Sequence, residues 1–466
     1  MTYRSLTRRQ LLKSGAVALP LLVSSRTLGL AGEAPAGEQV RVGVIGCGGR
    51  SRLINEGKDV KGFNVVAACD CFLPRAEQYV KELSGGARWG VYSDFRKMIE
   101  KEKLDGVMVE TTTHARAWIA CTAMQMGMDA YIEKPMCLYI TEGRHMVKTA
   151  RQFKRVTQVG TQQRSMPINN WASDLVKNGA LGKVHTVLAP NFVGPKKWPG
   201  KPGQPIPAGP DGWWDVWTNQ AELRPYHPEL HYGWATWWDY DAGGLCFGVS
   251  GWGTHSYDQI NRALGTDATG PTEILLEEPV ADRETGRFAP RQSVGGVLLG
   301  DTGDIDTGTD YHGMAKLSGP RAKVTMTFAG GTQVKYHLDG DRGPGLGAIF
   351  IGEKGKIEIN RNKLASNPKE IVRAKDNPGP NRRAETAYHI ENWVECIRSR
   401  KACNADIEFG QRSSTLCDLI NIVRAVGQVG KTLQWDPAAE RFTNCEEGNA
   451  YLTRPRRKGY ELPSLG

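Results

Sequence analysis

A chain of 466 residues exceeds a single small module and can bury a large core in two or three domains. Its composition, 40% hydrophobic and 24% charged, excludes a disordered chain, and 55 glycines imply many loops and tight turns. The formal charge of +10 falls to +6 without residues 1–36, where Arg4, Arg8, Arg9, Lys13 and Arg26 stand against only Glu33, and so small a charge on so large a body argues against nucleic acid as a partner.

Residues 1–36 have the layout of an export leader: SLTRRQLLKSG is basic and AVALPLLVSS is a short apolar run, too short to span a bilayer. Arg8 and Arg9, followed by Gln10, Leu11, Leu12 and Lys13, resemble the twin-arginine signal of proteins exported already folded. Cleavage after Ala36 is expected, with the Tat export machinery as a transient partner, a periplasmic location and no stable membrane span after processing. A Sec-type leader or a retained apolar tail is the alternative.

From Gln39 strands and helices alternate. VRVGVIG reads as a strand, GCGGRS as a turn, SRLINEGKD as a helix and FNVVAACD as a second strand. FLPRAEQYVKELSG and VYSDFRKMIEK read as helices, DGVMVETTT as a strand, HARAWIACTAMQMG as a helix and AYIEKP as a strand, with a further helix from Thr141 to about Phe153. Such alternation predicts an α/β fold: a parallel Rossmann sheet with right-handed crossovers over residues 37–165.

Beyond VTQVGTQQRS the alternation weakens, and a Gly/Pro/Trp-rich stretch runs from Val193 to Gly253. Strand pairs in VTMTFAGGTQVKYHL and GAIFIGEKGKIEINRNKLASNP, with helical spacing in AETAYHIENWVECIRSR and RSSTLCDLINIVRAVGQ, predict a second, α+β domain over 166–466 with a large, mostly antiparallel sheet. The basic run Arg454, Arg456, Arg457 and Lys458 reads as a solvated or docking tail. The ten cysteines include no CxxC pair and stand near no histidine at ligand spacing, so no metal site is expected.

The turn Gly46, Cys47, Gly48, Gly49 and Arg50 joins strand to helix as a dinucleotide site requires. Gly46 makes the tight turn, Gly48 lets a pyrophosphate approach the backbone, and Ser51 stands where a third small residue is expected. Asp70 ends the second strand, where a carboxylate accepts ribose hydroxyls and repels a 2′-phosphate, which favours NAD over NADP. Arg75, close by, tempers that preference.

The chain resembles the Gfo/Idh/MocA oxidoreductases, named for glucose-fructose oxidoreductase and inositol dehydrogenase. The resemblance rests on VGVIGCGGR, on ETTTHARA where the family usually reads like ATPDHWHA, and on YIEKP, VGTQQRS and GWGTHSYD. The Trp-rich insert followed by WWDYDAGG looks like an exported subgroup. The resemblance implies that Thr111, Thr112 and His114 lie at the cofactor, and that Lys134 reaches past the nicotinamide to a substrate hydroxyl while Glu133 and Pro135 hold the strand end. Burial beside an oxidised, cationic ring would lower the lysine's pKa and make it a base at neutral pH.

The family commonly carries a second acid/base pair written D-x-x-x-H. Here His255 is present but Gly251 occupies the acid position, and Asp258 is the nearest substitute. Eight of the thirteen tryptophans fall between Trp198 and Trp252, an aromatic core from which one or two reach a sugar. Trp252, His231, Tyr232, Arg164 and His255 are the substrate candidates, His255 also as the catalytic relay beside Lys134. The expected function is NAD(P)-dependent oxidation of a sugar or polyol CH–OH by a homo-oligomer with tightly held cofactor, since little free NAD exists outside the cytoplasm. The alternatives are a redox-neutral NAD-dependent glycosidase or lyase, and a noncatalytic dinucleotide- or sugar-binding protein.

Overall fold

A computed structural model describes residues 39–244, 248–284, 318–339, 345–361 and 363–465. The leader, its twin arginines and Cys246 lie outside these residues. Six parallel strands form the first sheet: β1 (Val40–Ile45), β2 (Phe63–Cys69), β3 (Gly90–Tyr92), β4 (Gly106–Val109), β5 (Asp129–Ile132) and β6 (Thr157–Val159). Their spatial order is β3-β2-β1-β4-β5-β6, so the chain reverses direction across the sheet between β1 and β4. In open α/β sheets ligands bind outside the strand C-termini at that reversal.

β1, β4 and β5 are almost wholly buried, as strands covered on both faces must be. One face is covered by α2 (Phe95–Lys101), α3 (Thr113–Gln125) and α4 (Ile140–Gln152), which follow α1 (Leu73–Leu83) in the chain. The predicted helix after β1 is a 3-10 segment, Arg50–Gly57. Its last glycine lies so close to Ile390 that a Cβ would sit 2.5 Å from that side chain.

The second sheet has nine strands. β7 (Val184–Asn191) follows α5 (Pro167–Lys177); the insert then holds α6 (Trp213–Thr218) and leads to α7 (Trp252–Leu264) and β8 (Pro271–Leu276). β9 (Ala281–Glu284) and β10 (Ser318–Arg321) pair with each other, and β11 (Val324–Phe328), β12 (Gln333–Asp339), β13 (Ala348–Gly352), β14 (Gly355–Asn360) and β15 (Lys363–Asn367) rejoin the main sheet. After α8 (Glu385–Ser399) and α9 (Ile407–Val426), β16 (Thr432–Asp436) and β17 (Arg441–Phe442) complete the order β15-β14-β13-β7-β12-β11-β8-β16-β17. Among the described strands only β7 and β12 pair in parallel, so the sheet is mostly antiparallel as expected.

Two helices from the C-terminal half build the first sheet's surroundings. Ile390, Trp393 and Val394 of α8 pack with Val40, Val42, Val44 and Tyr131, and α9 lies against α4 and α7. The basic tail is docked rather than solvated: Arg454 pairs with Asp239, Arg456 with Glu142 and Arg457 with Asp215, tying it to α4 and to the insert.

Candidate active site

A cleft of about 240 Å³ opens at the reversal point. Gly46 turns with φ +93°, and a Cβ there would meet the backbone of Glu110 and Thr111 at 2.8 Å. No side chain other than glycine fits. Gly48 and Gly49 have no atom within 4 Å of a would-be Cβ, leaving bare backbone facing the cleft. Both line it with Arg50, Asp70, Arg75, Thr111 and Thr112.

Asp70 is positioned by the turn. Its Oδ2 accepts the amide N–H of Cys47 at 3.0 Å and its Oδ1 that of Phe72 at 3.0 Å. Cys47 therefore orients the acid while its own thiol is buried. Oδ1 also takes the Cys71 thiol at 3.9 Å, whereas Oδ2 keeps an acceptor site for a ribose hydroxyl. Arg75 stands 3.9 Å from Asp70 and 2.9 Å from His231 Nε2, held between the two. The buried Thr111 hydroxyl and both amide atoms of Asn219 have no partner. Open glycine backbone, an oriented carboxylate and orphaned polar atoms in one cleft fit a dinucleotide.

The end of β5 adjoins this cleft. Glu133 is buried and accepts from Arg50 Nε at 2.8 Å, Gln162 Nε2 at 3.2 Å and the Lys134 amide at 3.0 Å. Gly160 makes room, since its Cβ would meet that carboxylate at 2.6 Å. Glu133 thus holds the strand end and does not line the cleft. Lys134 Nζ donates to the Gly251 carbonyl at 3.0 Å, joining β5 to the start of α7. Where the family pattern has an acid, a main-chain oxygen receives the amine. Burial lowers the Lys134 pKa to about 8, against the opposing pull of Glu133. His255, one turn into α7, is buried with Nδ1 unpartnered, and desolvation together with Arg361 and Lys134 keeps it neutral.

Several expected residues serve other ends. His114 places Nε2 2.8 Å from Trp217 O and packs edge-on to Trp217 and Tyr240, so it holds the insert rather than the cofactor. Arg164 is buried between Asp258 and Asp267, at 2.8 and 2.6 Å. That pair consumes both the substrate candidate and the substitute acid, and Ser413 takes a further bond to Asp258. Trp252 joins the core of the second sheet. His231 lies in the dinucleotide cleft instead of a substrate pocket, and Tyr232 stacks on it at 4.4 Å on the exposed side.

Sequence reasoning missed that the insert is a wall of the cofactor cleft. Trp213, Trp214, Trp217, Tyr226 and Tyr240 form one aromatic cluster, and Val216, Trp217, Asn219 and Trp234 face the cleft. No local spacing announces this. Asp241 was also missed: fully buried, it accepts from Thr113 and, at 2.6 Å, from Ser250, near Lys134 and Arg116.

Residues 40–161 match the profile of the oxidoreductase family's NAD-binding Rossmann fold, and residues 168–289 and 305–462 that of its C-terminal alpha/beta domain. The chain is 29% identical over 147 residues to scyllo-inositol 2-dehydrogenase (NAD(+)) of Bacillus subtilis, covering 31% of this chain and 42% of that protein. It is 27% identical over 129 residues to Glycosyl hydrolase family 109 protein 1 of Akkermansia muciniphila, covering 26% of this chain and 27% of that protein. The matches span less than half the length of these curated relatives. Among solved structures, the WlbA dehydrogenase of Bordetella pertussis in complex with NADH and UDP-GlcNAcA superposes with a TM-score of 0.53 at 17% identity, over 85% of this chain and 99% of that one. Aldose-aldose oxidoreductase of Caulobacter crescentus gives 0.53 at 14%, over 85% and 99%; at such identities the likeness is one of fold. With both domains matched in order, the chain belongs to the Gfo/Idh/MocA oxidoreductase family, whose first domain binds NAD.

Proposed function

We propose that this protein is an NAD-dependent oxidoreductase that acts on a CH–OH group of a sugar or polyol. The observation that carries the proposal is the Lys134 amine, held by the Gly251 carbonyl at 3.0 Å where the dinucleotide strand end meets α7, with its pKa lowered to about 8. Bound NAD supplies the hydride acceptor. Lys134 in its neutral form takes the hydroxyl proton, and neutral His255 accepts or donates a hydrogen bond to the same substrate. The scyllo-inositol and D-apiose dehydrogenases among the relatives support a polyol or sugar as the substrate. The insert wall supports slow cofactor release, and Arg8 and Arg9 support export of the folded protein to the periplasm by the twin-arginine route.

A panel of cyclitols, aldoses and polyols, assayed for reduction of added NAD and for oxidised sugar, tests this reading; absence of any NAD-linked oxidation across the panel would count against it. The resemblance to a glycosyl hydrolase favours one second reading, redox-neutral cleavage of a glycoside. Repeated turnover of an aryl glycoside without net NADH and without an added acceptor would replace the first reading by the second.

A further inference from the structure

The proposed reaction makes no use of Glu110. It follows β4 directly, its amide donates to Ile45 O at 2.7 Å, and its backbone packs against the Gly46 turn. Its side chain lines the dinucleotide cleft, is 8% exposed, and leaves Oε2 without any hydrogen-bond partner. A buried carboxylate in that condition is costly unless a proton or a cation accompanies it.

Two cations, Arg50 and Arg116, act on Glu110 through space, but neither is hydrogen-bonded to it. Val109 and Ile132 are in register, so Glu110 and Glu133 end neighbouring parallel strands side by side. From β5, Glu133 and Tyr131 face it; from the 3-10 segment, Arg50; from α3, Arg116; from α1, Tyr79. Arg50 is engaged by Glu133 at 2.8 Å, and Arg116 spends Nη1 on Thr113 Oγ1 and the Pro135 carbonyl. Of the two acids, only Glu133 has a directly bonded guanidinium. Burial, and then the charge of Glu133, raise the Glu110 carboxyl to about 8, while Arg50 holds Glu133 low.

A dinucleotide lies across the reversal point. With Asp70 at the end of β2 taking the adenosine ribose, the nicotinamide half falls on the β4–β5 side, where Glu110 stands. The oxidised ring carries a positive charge and the reduced ring none. We propose that Glu110 is the counter-charge for the oxidised nicotinamide: NAD+ enters as Glu110 gives its proton to solvent, whereas NADH enters with Glu110 still protonated. Each bound state then carries the same net charge in the cleft, and the protein distinguishes the two redox forms by charge. The inference rests on NAD occupying this cleft.

Calorimetric titration of the full chain with NAD+ and with NADH at pH 7, in phosphate and in Tris, reads the protons exchanged. About one proton is expected to leave per NAD+ and almost none per NADH, with NAD+ affinity rising about tenfold from pH 6 to 7 and levelling above about pH 9. Glu110→Gln should remove most of the release and weaken NAD+ binding at pH 9 by about tenfold or more. Its NADH affinity should stay within about twofold, which also shows that the variant is folded. Lys134→Met should retain the Glu110 share of the release and lose only the part the lysine itself gives up beside the oxidised ring. Release that disappears in Lys134→Met but persists in Glu110→Gln would overturn the proposal, as would equal weakening of NAD+ and NADH in Glu110→Gln. A wild-type chain that binds both nucleotides without proton release refutes this inference alone; one that binds neither refutes the dinucleotide site beneath it.

Discussion

Replacing Lys134 by Met should make the protein more stable and nearly inactive at once. The structure lowers the lysine from 10.5 to about 8, so burial disfavours the ammonium form by about 3 kcal/mol. Its side chain is partly exposed, and screening by solvent reduces the penalty to about 2 kcal/mol. Loss of the bond to Gly251 O returns about 1 kcal/mol, leaving a net gain of about 1 kcal/mol at pH 7. The unfolded lysine keeps its proton to higher pH than the folded one. The penalty is therefore full below pH 8 and fades as pH rises from about 8 to 10.5, and the gain in melting temperature should fade with it. Turnover should fall by roughly 10²–10⁴-fold, the contribution of a positioned general base. In the wild type, turnover at saturating NAD should rise about tenfold from pH 6 to 7 and level off above about pH 9, with no descending limb from His255, which stays neutral. Scanning calorimetry at pH 7 and pH 10, together with turnover on any polyol the wild type oxidises, checks both halves. Wild-type turnover in Lys134→Met, or a melting temperature lowered at pH 7, would refute the assignment of this lysine.

Asp70→Ala should weaken NAD binding and relax discrimination against NADP, read as the ratio of the two dissociation constants; an unchanged ratio removes Asp70 from the ribose site. His255→Ala should cost less turnover than the lysine change and raise the apparent KM, since the imidazole lacks a partner acid at Gly251; steady-state kinetics with unchanged KM would exclude it as a substrate ligand. Trp234→Ala should speed dinucleotide dissociation in a stopped-flow chase by opening the insert wall, and an unaltered rate would show that the wall does not govern release. Arg8→Lys combined with Arg9→Lys should stop export of folded protein, measured by fractionation; export at the normal rate contradicts the twin-arginine reading.

The Rossmann half was legible because its signals are local. The glycine turn, an apolar strand every few tens of residues and an acid ending the second strand each depend on neighbours in the chain, and the fold keeps all three. The position of Lys134 at the end of β5 was legible too, because the apolar run that precedes it marks the strand. Contacts between distant segments were not. Arg164 meets Asp258 across 94 positions, His114 meets Trp217 across 103, and Lys134 finds the Gly251 carbonyl across 117. Each pairing follows from which elements the two sheets bring together, and an arginine looks the same in sequence whether it meets a substrate or two buried aspartates. The vacant acid position at Gly251 showed the same limit, since a backbone carbonyl is present at every residue and only the docking of α7 against β5 decides which one receives the lysine. The sequence alone determined the family, the fold of each half and the residues at the strand ends; packing decided which of those residues are already satisfied by the protein and which, like Glu110 and Asn219, are left facing the cleft with bonds still to make.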